Sequence, residues 1–450
     1  MTYCESHVLI DLIPQLSTEL SVHNNKASLK VVHKHGPCSQ LHQDSTTTTI
    51  DHHTQVLQQD QSRVKSIHAR LAKKSSTAAT DGTRYQQDAT TLPAKSGAVV
   101  GSGNYIVTVG LGTPKKYLSL IFDTGSDLTW TQCQPCAKSC YNQRETIFDP
   151  SKSSTYSNIS CTSAECSQLK SATGNKPGCS SVTSTCIYGI QYGDQSFSVG
   201  YFAKDTLTLS SYDVISNFLY GCGQNNQGLF GGSAGLLGLG RDNISIVEQT
   251  ANKYNRLFSY CLPSSSSLTG YLSFGSAGKP GKPVKYTPLS TLPSSESFYA
   301  LQFLGISVGG KRLSTPASVF QSAGTIIDSG TVITRLPPTA YASLSGEFKK
   351  QMSSYPSTSA LSILDTCYDL SSYKTVTIPK ITLYFGGGTA VDLDAKGILY
   401  AGSISQVCLA FAGNKNDGDV TILGNVQQKT LQVVYDIRGG RIGFGSGGCS

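Results

Sequence analysis

From Tyr105 onward, apolar and polar positions alternate in short stretches separated by glycine, proline and serine. Tyr105-Ile106-Val107-Thr108-Val109 reads as a strand, Gly112-Thr113-Pro114 as a turn, and Leu118-Ser119-Leu120-Ile121-Phe122 as a strand running into Asp123. A related order returns later: Tyr299-Ala300-Leu301-Gln302-Phe303, the turn Val308-Gly309-Gly310-Lys311, then Gly324-Thr325-Ile326-Ile327 running into Asp328. Each half then carries an apolar-apolar-glycine element, Leu236-Leu237-Gly238 and Ile422-Leu423-Gly424, 113 and 94 residues beyond its aspartate. This repeated order predicts an internally duplicated β-rich unit, mainly β with few short helices. Two lobes follow, at about 97–275 and 285–450, joined by an exposed linker (276–284) rich in glycine, lysine and proline.

Residues 1–95 have a different character. They are polar, contain Thr46-Thr47-Thr48-Thr49, and hold a stretch from Gln58 to Lys74 that predicts a basic helix. A polar run from Ser75 to Lys95 ends the segment. It reads as a removable leader or propeptide rather than a domain, with processing expected between Leu92 and Gly97.

Composition narrows the chemistry. All eight histidines lie in the first 68 residues, so Ser-His and Cys-His nucleophilic catalysis and histidine-containing zinc sites are excluded from the main body. Proton transfer there falls to carboxylates, tyrosine, lysine or cysteine. Twelve of the fourteen cysteines follow residue 95, an even number that reads as a disulfide framework made in an oxidising compartment. The sequons at Asn158 and Asn243 fit secretion and are glycosylation candidates. No apolar run approaches the ~20 residues of a membrane-spanning helix. Val8-Leu9-Ile10, soon interrupted by Asp11 and Pro14, makes a poor signal-peptide core, and the C-terminal Gly443–Ser450 stretch argues against a lipid anchor.

The strands ending in Asp123 and Asp328 continue as near-identical tetrads 205 residues apart, Asp123-Thr124-Gly125-Ser126 and Asp328-Ser329-Gly330-Thr331. A single such tetrad is more often a turn than a site. Two of them, each after an apolar strand in a repeated context, point to two carboxyls that meet. Close like charges do not readily both ionise, so one carboxyl holds a proton while its neighbour is a carboxylate. Such a pair supplies both the base that activates water and the acid that protonates a carbonyl oxygen. The glycines allow close backbone approach, and Ser126 and Thr331 can donate hydrogen bonds to the carboxyls.

On these residues the chain resembles the pepsin-like aspartic proteases over nearly all of 97–450. More closely, it resembles the plant nepenthesin-type branch and its relatives described as chloroplast nucleoid DNA-binding proteins. The leader stretch Leu29–Cys38 resembles the propeptide of those relatives. The resemblance implies a two-lobed acid protease fold with a cleft between the lobes. It also implies an Asp123–Asp328 catalytic dyad supported by Thr124, Gly125, Ser126, Ser329, Gly330 and Thr331, and a flap hairpin at Ile190–Gly200 carrying Tyr192 and Gly193. Trp130, the only tryptophan and seven residues after Asp123, matches the residue that hydrogen-bonds the flap tyrosine. The implied disulfides are Cys133–Cys136, Cys140–Cys222, Cys161–Cys186, Cys166–Cys179, Cys261–Cys449 and Cys367–Cys408, a connectivity that sequence alone does not establish. Read alone, Cys133 and Cys136 also suit a zinc or redox pair. No cofactor or metal is expected.

The expected activity is that of an acid-active aspartic endopeptidase made as a zymogen, acting on an extended polypeptide that presents apolar side chains at the scissile bond. Ile121, Phe197, Ile326 and Ile333 are apolar candidates near the cleft, without assigned subsites. A monomer without membrane anchor is expected, in the secretory pathway, apoplast or vacuole, with the chloroplast as alternative. One rival is nonspecific nucleic-acid binding, through the modest +6 charge of the residues after 95 (26 Lys+Arg against 20 Asp+Glu) or the basic Arg63–Lys74 region. Another is a non-catalytic inhibitor on the same fold, which the presence of both tetrads, Tyr192 and Trp130 disfavours. Glycoside hydrolysis by two carboxylates is a third, and it has no need of matched lobes.

Overall fold

The computed structural model describes residues 27–33, 49–75, 105–192, 195–228, 230–264, 268–276, 283–292, 295–447 and 449. The expected processing region, the centre of the linker and Gly193 lie outside the described residues, as do Cys4 and Cys38.

Strand β2 (Tyr105–Leu111) runs antiparallel to β3 (Lys116–Asp123), with Ile106 opposite Ile121 and Val109 opposite Leu118. β3 lies parallel to Gly235–Gly238, so that Gly238 faces Asp123, and Gly235–Gly238 in turn runs antiparallel to β4 (Trp130–Gln132), pairing Leu236 with Trp130. The second half repeats this arrangement. Thr325–Ile327 lies parallel to Thr421–Leu423, and Arg335 of Thr334–Leu336 lies opposite Ile422. The apolar-apolar-glycine elements are therefore the strands that flank each aspartate. They are buried on both faces, which is why they read as continuous apolar runs rather than alternating ones.

Six antiparallel strands tie the halves together. In order they are β1 (Ala27–His33), Thr269–Phe274, Leu257–Cys261, Gln432–Asp436, Arg441–Gly445 and Val284–Leu292. β1 comes from the expected leader. It pairs with Thr269–Phe274 along its length and with β2 at Val32 and His33, and its burial alternates, with Leu29 and Val31 facing the core.

The expected leader also supplies helix α1 (Thr49–Ser75), longer than the Gln58–Lys74 stretch expected from the sequence. Val56, Leu57, Asp60, Val64, Ile67 and Leu71 are buried on it, one face at helical spacing. Val56 and Leu57 pack with Val332, Ile333, Leu361 and Leu364, whereas Val64, Ile67 and Leu71 pack with Phe298, Ile326, Val420 and Ile422. Each such side chain contributes about 1.5–3 kcal/mol when fully buried, offset by the entropy of ordering the segment. Apolar contact therefore holds α1 on the body alongside its buried ion pairs.

Six disulfides join the described cysteines, and four of the implied pairs change. Cys133 follows β4, which runs parallel to Val214–Gln227 with Thr131 facing Cys222. Cys133 is consequently bonded to Cys222 (Cα–Cα 5.3 Å), and Cys136 to Cys140 within one loop (6.0 Å), not Cys133 to Cys136 and Cys140 to Cys222. Helix α2 (Ala164–Thr173) buries Cys166 against Cys186, itself fully buried, while Cys179 stays exposed beside Cys161. The bonds are thus Cys161–Cys179 and Cys166–Cys186, not Cys161–Cys186 and Cys166–Cys179. Strand neighbourhood and burial, which spacing does not encode, sort these partners. Cys261–Cys449 and Cys367–Cys408 are the same pairs in both accounts. No group of three or more His, Cys, Asp or Glu suited to a metal occurs among the described residues, and no described helix is long and apolar enough to cross a membrane.

Candidate active site

Asp123 and Asp328 leave their strands at the same depth and face each other across the junction of the halves. Reciprocal hydrogen bonds hold the two tetrads in register: Thr124 N–H donates to Ser329 Oγ (3.0 Å) and Ser329 N–H to Thr124 Oγ1 (2.9 Å). Within each tetrad the carboxylate is held by the glycine N–H and by the hydroxyl that follows. Asp123 accepts from Gly125 N–H and Ser126 Oγ, each at 2.9 Å; Asp328 accepts from Gly330 N–H at 3.0 Å and from Thr331 Oγ1. Both tetrads require glycine for the same reason. A Cβ on Gly125 would stand 2.6 Å from Asp328 Oδ1, and one on Gly330 would collide with Asp123 Oδ1.

Between the two carboxyls lies the guanidinium of Arg63 from α1. Its Nη2 donates to Asp123 Oδ1 at 2.7 Å and to Asp328 Oδ2 at 2.9 Å, and its Nε donates to Asp328 Oδ2 at 3.0 Å. The two carboxyls respond differently. Burial alone would push Asp123 up, but Arg63, the Gly125 N–H and Ser126 together hold it below the ordinary aspartate range. Burial pushes Asp328 up, and the neighbouring Asp123 charge adds to this against the opposing pull of Arg63, leaving it above that range. Arg63 therefore favours the carboxylate form of Asp123 more strongly than that of Asp328.

The strands Cys186–Gln191 and Phe197–Thr208 form a hairpin, pairing Gln191 with Phe197. Tyr192 begins its tip, where its N–H bonds to Ser196 O at 2.8 Å. The indole N–H of the fully buried Trp130 donates to Tyr192 Oη at 2.8 Å, and Phe230 meets both rings edge-on. A cavity of about 60 Å³ remains between hairpin, dyad and helix, bordered by Arg63, Arg70, Asp123, Ile190 and Tyr192.

All six supporting tetrad residues are therefore gathered at one point, with Tyr192 and Trp130 beside it. Ile326 and Ile333 touch the apolar face of α1, while Ile121 sits in the core cluster around Trp130. Asn158 and Asn243 are exposed. Several residues escaped the sequence reading. Arg63 and Arg70 were legible only as part of a basic stretch. Yet Arg63 bridges the carboxyls, and Arg70 lies over the Phe298 ring at 4.2 Å and donates to Gly125 O. Asp60 and Arg335 form a buried ion pair of 2.8 Å. Asp127 accepts from Asp242 N–H and from Ser297 of the other half, and burial lifts its carboxyl to about 6. The one available signal was the position of Arg335, seven residues after its aspartate as Trp130 is after Asp123.

Residues 105–276 match the family model described as xylanase inhibitor N-terminal, and residues 298–446 the one described as xylanase inhibitor C-terminal. An aspartyl protease family protein of Arabidopsis thaliana is 59% identical over 439 residues, covering 98% of this chain and 90% of its own. Aspartic proteinase nepenthesin-2 of Nepenthes gracilis is 38% identical over 355 residues, covering 76% and 77%. Among solved structures, basic 7S globulin from soybean shares the fold at a TM-score of 0.60 and 21% identity, over 77% of this chain and 94% of the globulin. With its duplicated aspartate loops, two-half β fold and these relatives, the chain belongs to the plant branch of the pepsin-like aspartic protease family.

Proposed function

We propose that this chain is the zymogen of an aspartic endopeptidase, with Asp123 and Asp328 as catalytic residues and α1 as the segment that keeps them closed. The observation that carries the reading is the Arg63 guanidinium shared between the two carboxyls, 2.7 Å from one and 2.9 Å from the other. In this chemistry that point belongs to the attacking water. The carboxylate takes a proton from the water as its oxygen adds to the peptide carbonyl carbon, and the protonated partner gives its proton to the carbonyl oxygen. The resulting gem-diol collapses as the amide nitrogen is protonated and the C–N bond breaks. Tyr192 and Trp130 cover the site from the hairpin side and limit water access.

Acid is the expected trigger. Arg63 holds Asp123 down in the docked state. A carboxyl depressed in this way favours docking in full at pH above its ordinary value, about 4, and that contribution is lost as pH falls through the lowered value it has in the docked state. Asp60 acts in the opposite sense, since burial lifts it, so it supplies no acid trigger. Six disulfides among the described residues support a route through the secretory pathway. The xylanase-inhibitor description of the matching family models favours a second reading, a binding module without catalysis, against which both complete tetrads weigh.

The test is cleavage of a denatured protein from about pH 2.5 to 7.5, before and after acid incubation, with Asp123→Asn in parallel. Acid-induced activity that coincides with loss of the leader and is absent from the variant supports the zymogen. Identical behaviour of wild type and variant overturns it in favour of the binding module.

A further inference from the structure

The two halves hold the main chain of their aspartates by different means. In the first half, Leu239 N–H donates to Asp123 O at 2.9 Å and Gly240 N–H to Ser126 O at 2.8 Å. Both are main-chain bonds, and they extend the parallel pairing of Gly238 with Asp123. In the second half that parallel pairing stops at Ile327 and Leu423. After Gly424 the chain coils into the helical turn Asn425–Gln428, and Asn425 N–H goes to Thr331 O instead, at 2.7 Å. Asp328 O accepts from a side chain: Gln428 Nε2, at 3.3 Å. The same Nε2 donates to Leu423 O at 2.9 Å, and Leu423 O also accepts Asp328 N–H at 3.1 Å. One carboxamide thus touches Asp328 O directly and shares the acceptor of Asp328 N–H.

The orientation of that carboxamide is set from behind. With Nε2 facing two carbonyls, Oε1 faces the Tyr260 hydroxyl, which donates to it. Tyr260 Oη lies 3.1 Å from Tyr435 Oη, on the neighbouring strand of the six-stranded sheet. A hydroxyl has one proton, and that of Tyr260 is directed at Gln428, so Tyr435 is the donor in this second bond. Tyr435 in turn bonds the Thr124 side chain, whose Oγ1 accepts Ser329 N–H. A file of hydrogen bonds therefore runs from the first tetrad through two tyrosines to the main chain of the second aspartate. Tyr260, Gln428 and Tyr435 are fully buried, where an unpaired polar group is costly, and none of them borders the cavity beneath the hairpin.

We propose that Gln428 is the positioning residue of Asp328, set in place by Tyr260 and Tyr435, and that its side chain does for the second aspartate what Leu239 N–H does for the first. The inference rests on the protease reading above and adds to it the group that fixes the spacing of the two carboxyls. Gln428 takes no part in proton transfer and does not meet the substrate. Releasing Asp328 O lets its carboxyl drift from Asp123. Weaker repulsion then lets the pair lose its second proton at lower pH, and poorer alignment slows the chemical step.

The test compares acid-activated wild type, Gln428→Met, Tyr260→Phe and Gln427→Met in kcat, KM and the pH profile of peptide cleavage. Gln427 is an equally buried neighbour whose carboxamide bonds Thr334, Gly397 and Ala410, away from the aspartate. Gln428→Met is expected to lower kcat about tenfold at unchanged KM and to move the alkaline limb about half a pH unit toward acid. Tyr260→Phe, which removes one hydroxyl and no bulk, is expected to act in the same direction, about threefold in kcat. Gln427→Met is expected to lower Tm and leave the limb in place. A limb unmoved in Tyr260→Phe overturns the inference, whether or not Gln428→Met folds, and so does an equal shift in Gln427→Met. A wild type that cleaves nothing discards the protease reading alone. The second ionisation of the Asp123–Asp328 pair, followed by NMR of carboxyl-labelled aspartate, then decides: a shift toward acid in Tyr260→Phe upholds the positioning role, and no shift overturns it.

Discussion

In the first half of the molecule, the residue seven positions beyond the aspartate is Trp130, which donates to Tyr192 at 2.8 Å; in the second half it is Arg335, which donates to Asp60 at 2.8 Å. The backbones around these residues match strand for strand, from the parallel pairing beside each aspartate to the antiparallel bridge at Leu236 or Ile422. The side-chain solutions do not match. The first half closes its wall with an aromatic hydrogen bond made between its own residues, Trp130 and Tyr192. The second half closes its wall with an ion pair whose acid, Asp60, comes from α1. Duplication preserves the geometry that brings two carboxyls together, and the side chains around it are free to divide the remaining tasks.

The largest expected effect tests whether the halves act as one catalytic unit. Asp123→Asn and Asp328→Asn should each lower peptide cleavage by about a thousandfold or more, and the double variant should add little, because one shared proton needs both carboxyls. A double variant whose losses multiply would mean that the halves act separately. The next effect concerns the helix between them. Arg63→Gln removes the charge that holds Asp123 down, so acid activation of the full chain should move to higher pH, with about tenfold more activity at pH 5–6 than wild type. Closure should persist in part, since the apolar face of α1 remains buried. Activity against pH without prior incubation checks this.

A smaller effect concerns the first half's own wall. Tyr192→Phe deletes the bond from Trp130, worth about 0.5–1.5 kcal/mol, and should lower kcat/KM about fivefold. Trp130 is the only tryptophan, so its fluorescence should shift in parallel, and an unchanged spectrum would break the link between ring and flap. The last prediction changes no activity. Peptide mapping without reduction should recover Cys133 joined to Cys222 and Cys166 joined to Cys186, tying the first half together in a way the second half, with Cys367–Cys408, does not repeat.

The parts of this protein legible in its sequence are those encoded by local pattern. Period-two alternation marked β2 and β3. Two tetrads after apolar strands marked the dyad, because burying a carboxyl requires a glycine and a hydroxyl at set offsets. A polar, histidine-rich composition set the leader apart. The disulfides of the first half were mis-sorted because cysteine spacing carries no information on which strand lies beside which, and Thr131 facing Cys222 is a long-range fact. Arg63 was visible only as one cation of a basic helix. Its role depends on where the other face of that helix, Val56 through Leu71, finds apolar cover.

Sequence by itself determined the duplicated β architecture, the two aspartates and the chemistry open to a body without histidine, since each rests on residue type, local periodicity or repetition. Only the tertiary structure decided which cysteines pair, that α1 crosses the cleft with Arg63 between the carboxyls, and that Arg335 faces Asp60. Those outcomes depend on distances between segments tens to hundreds of residues apart, and packing of the whole chain sets such distances.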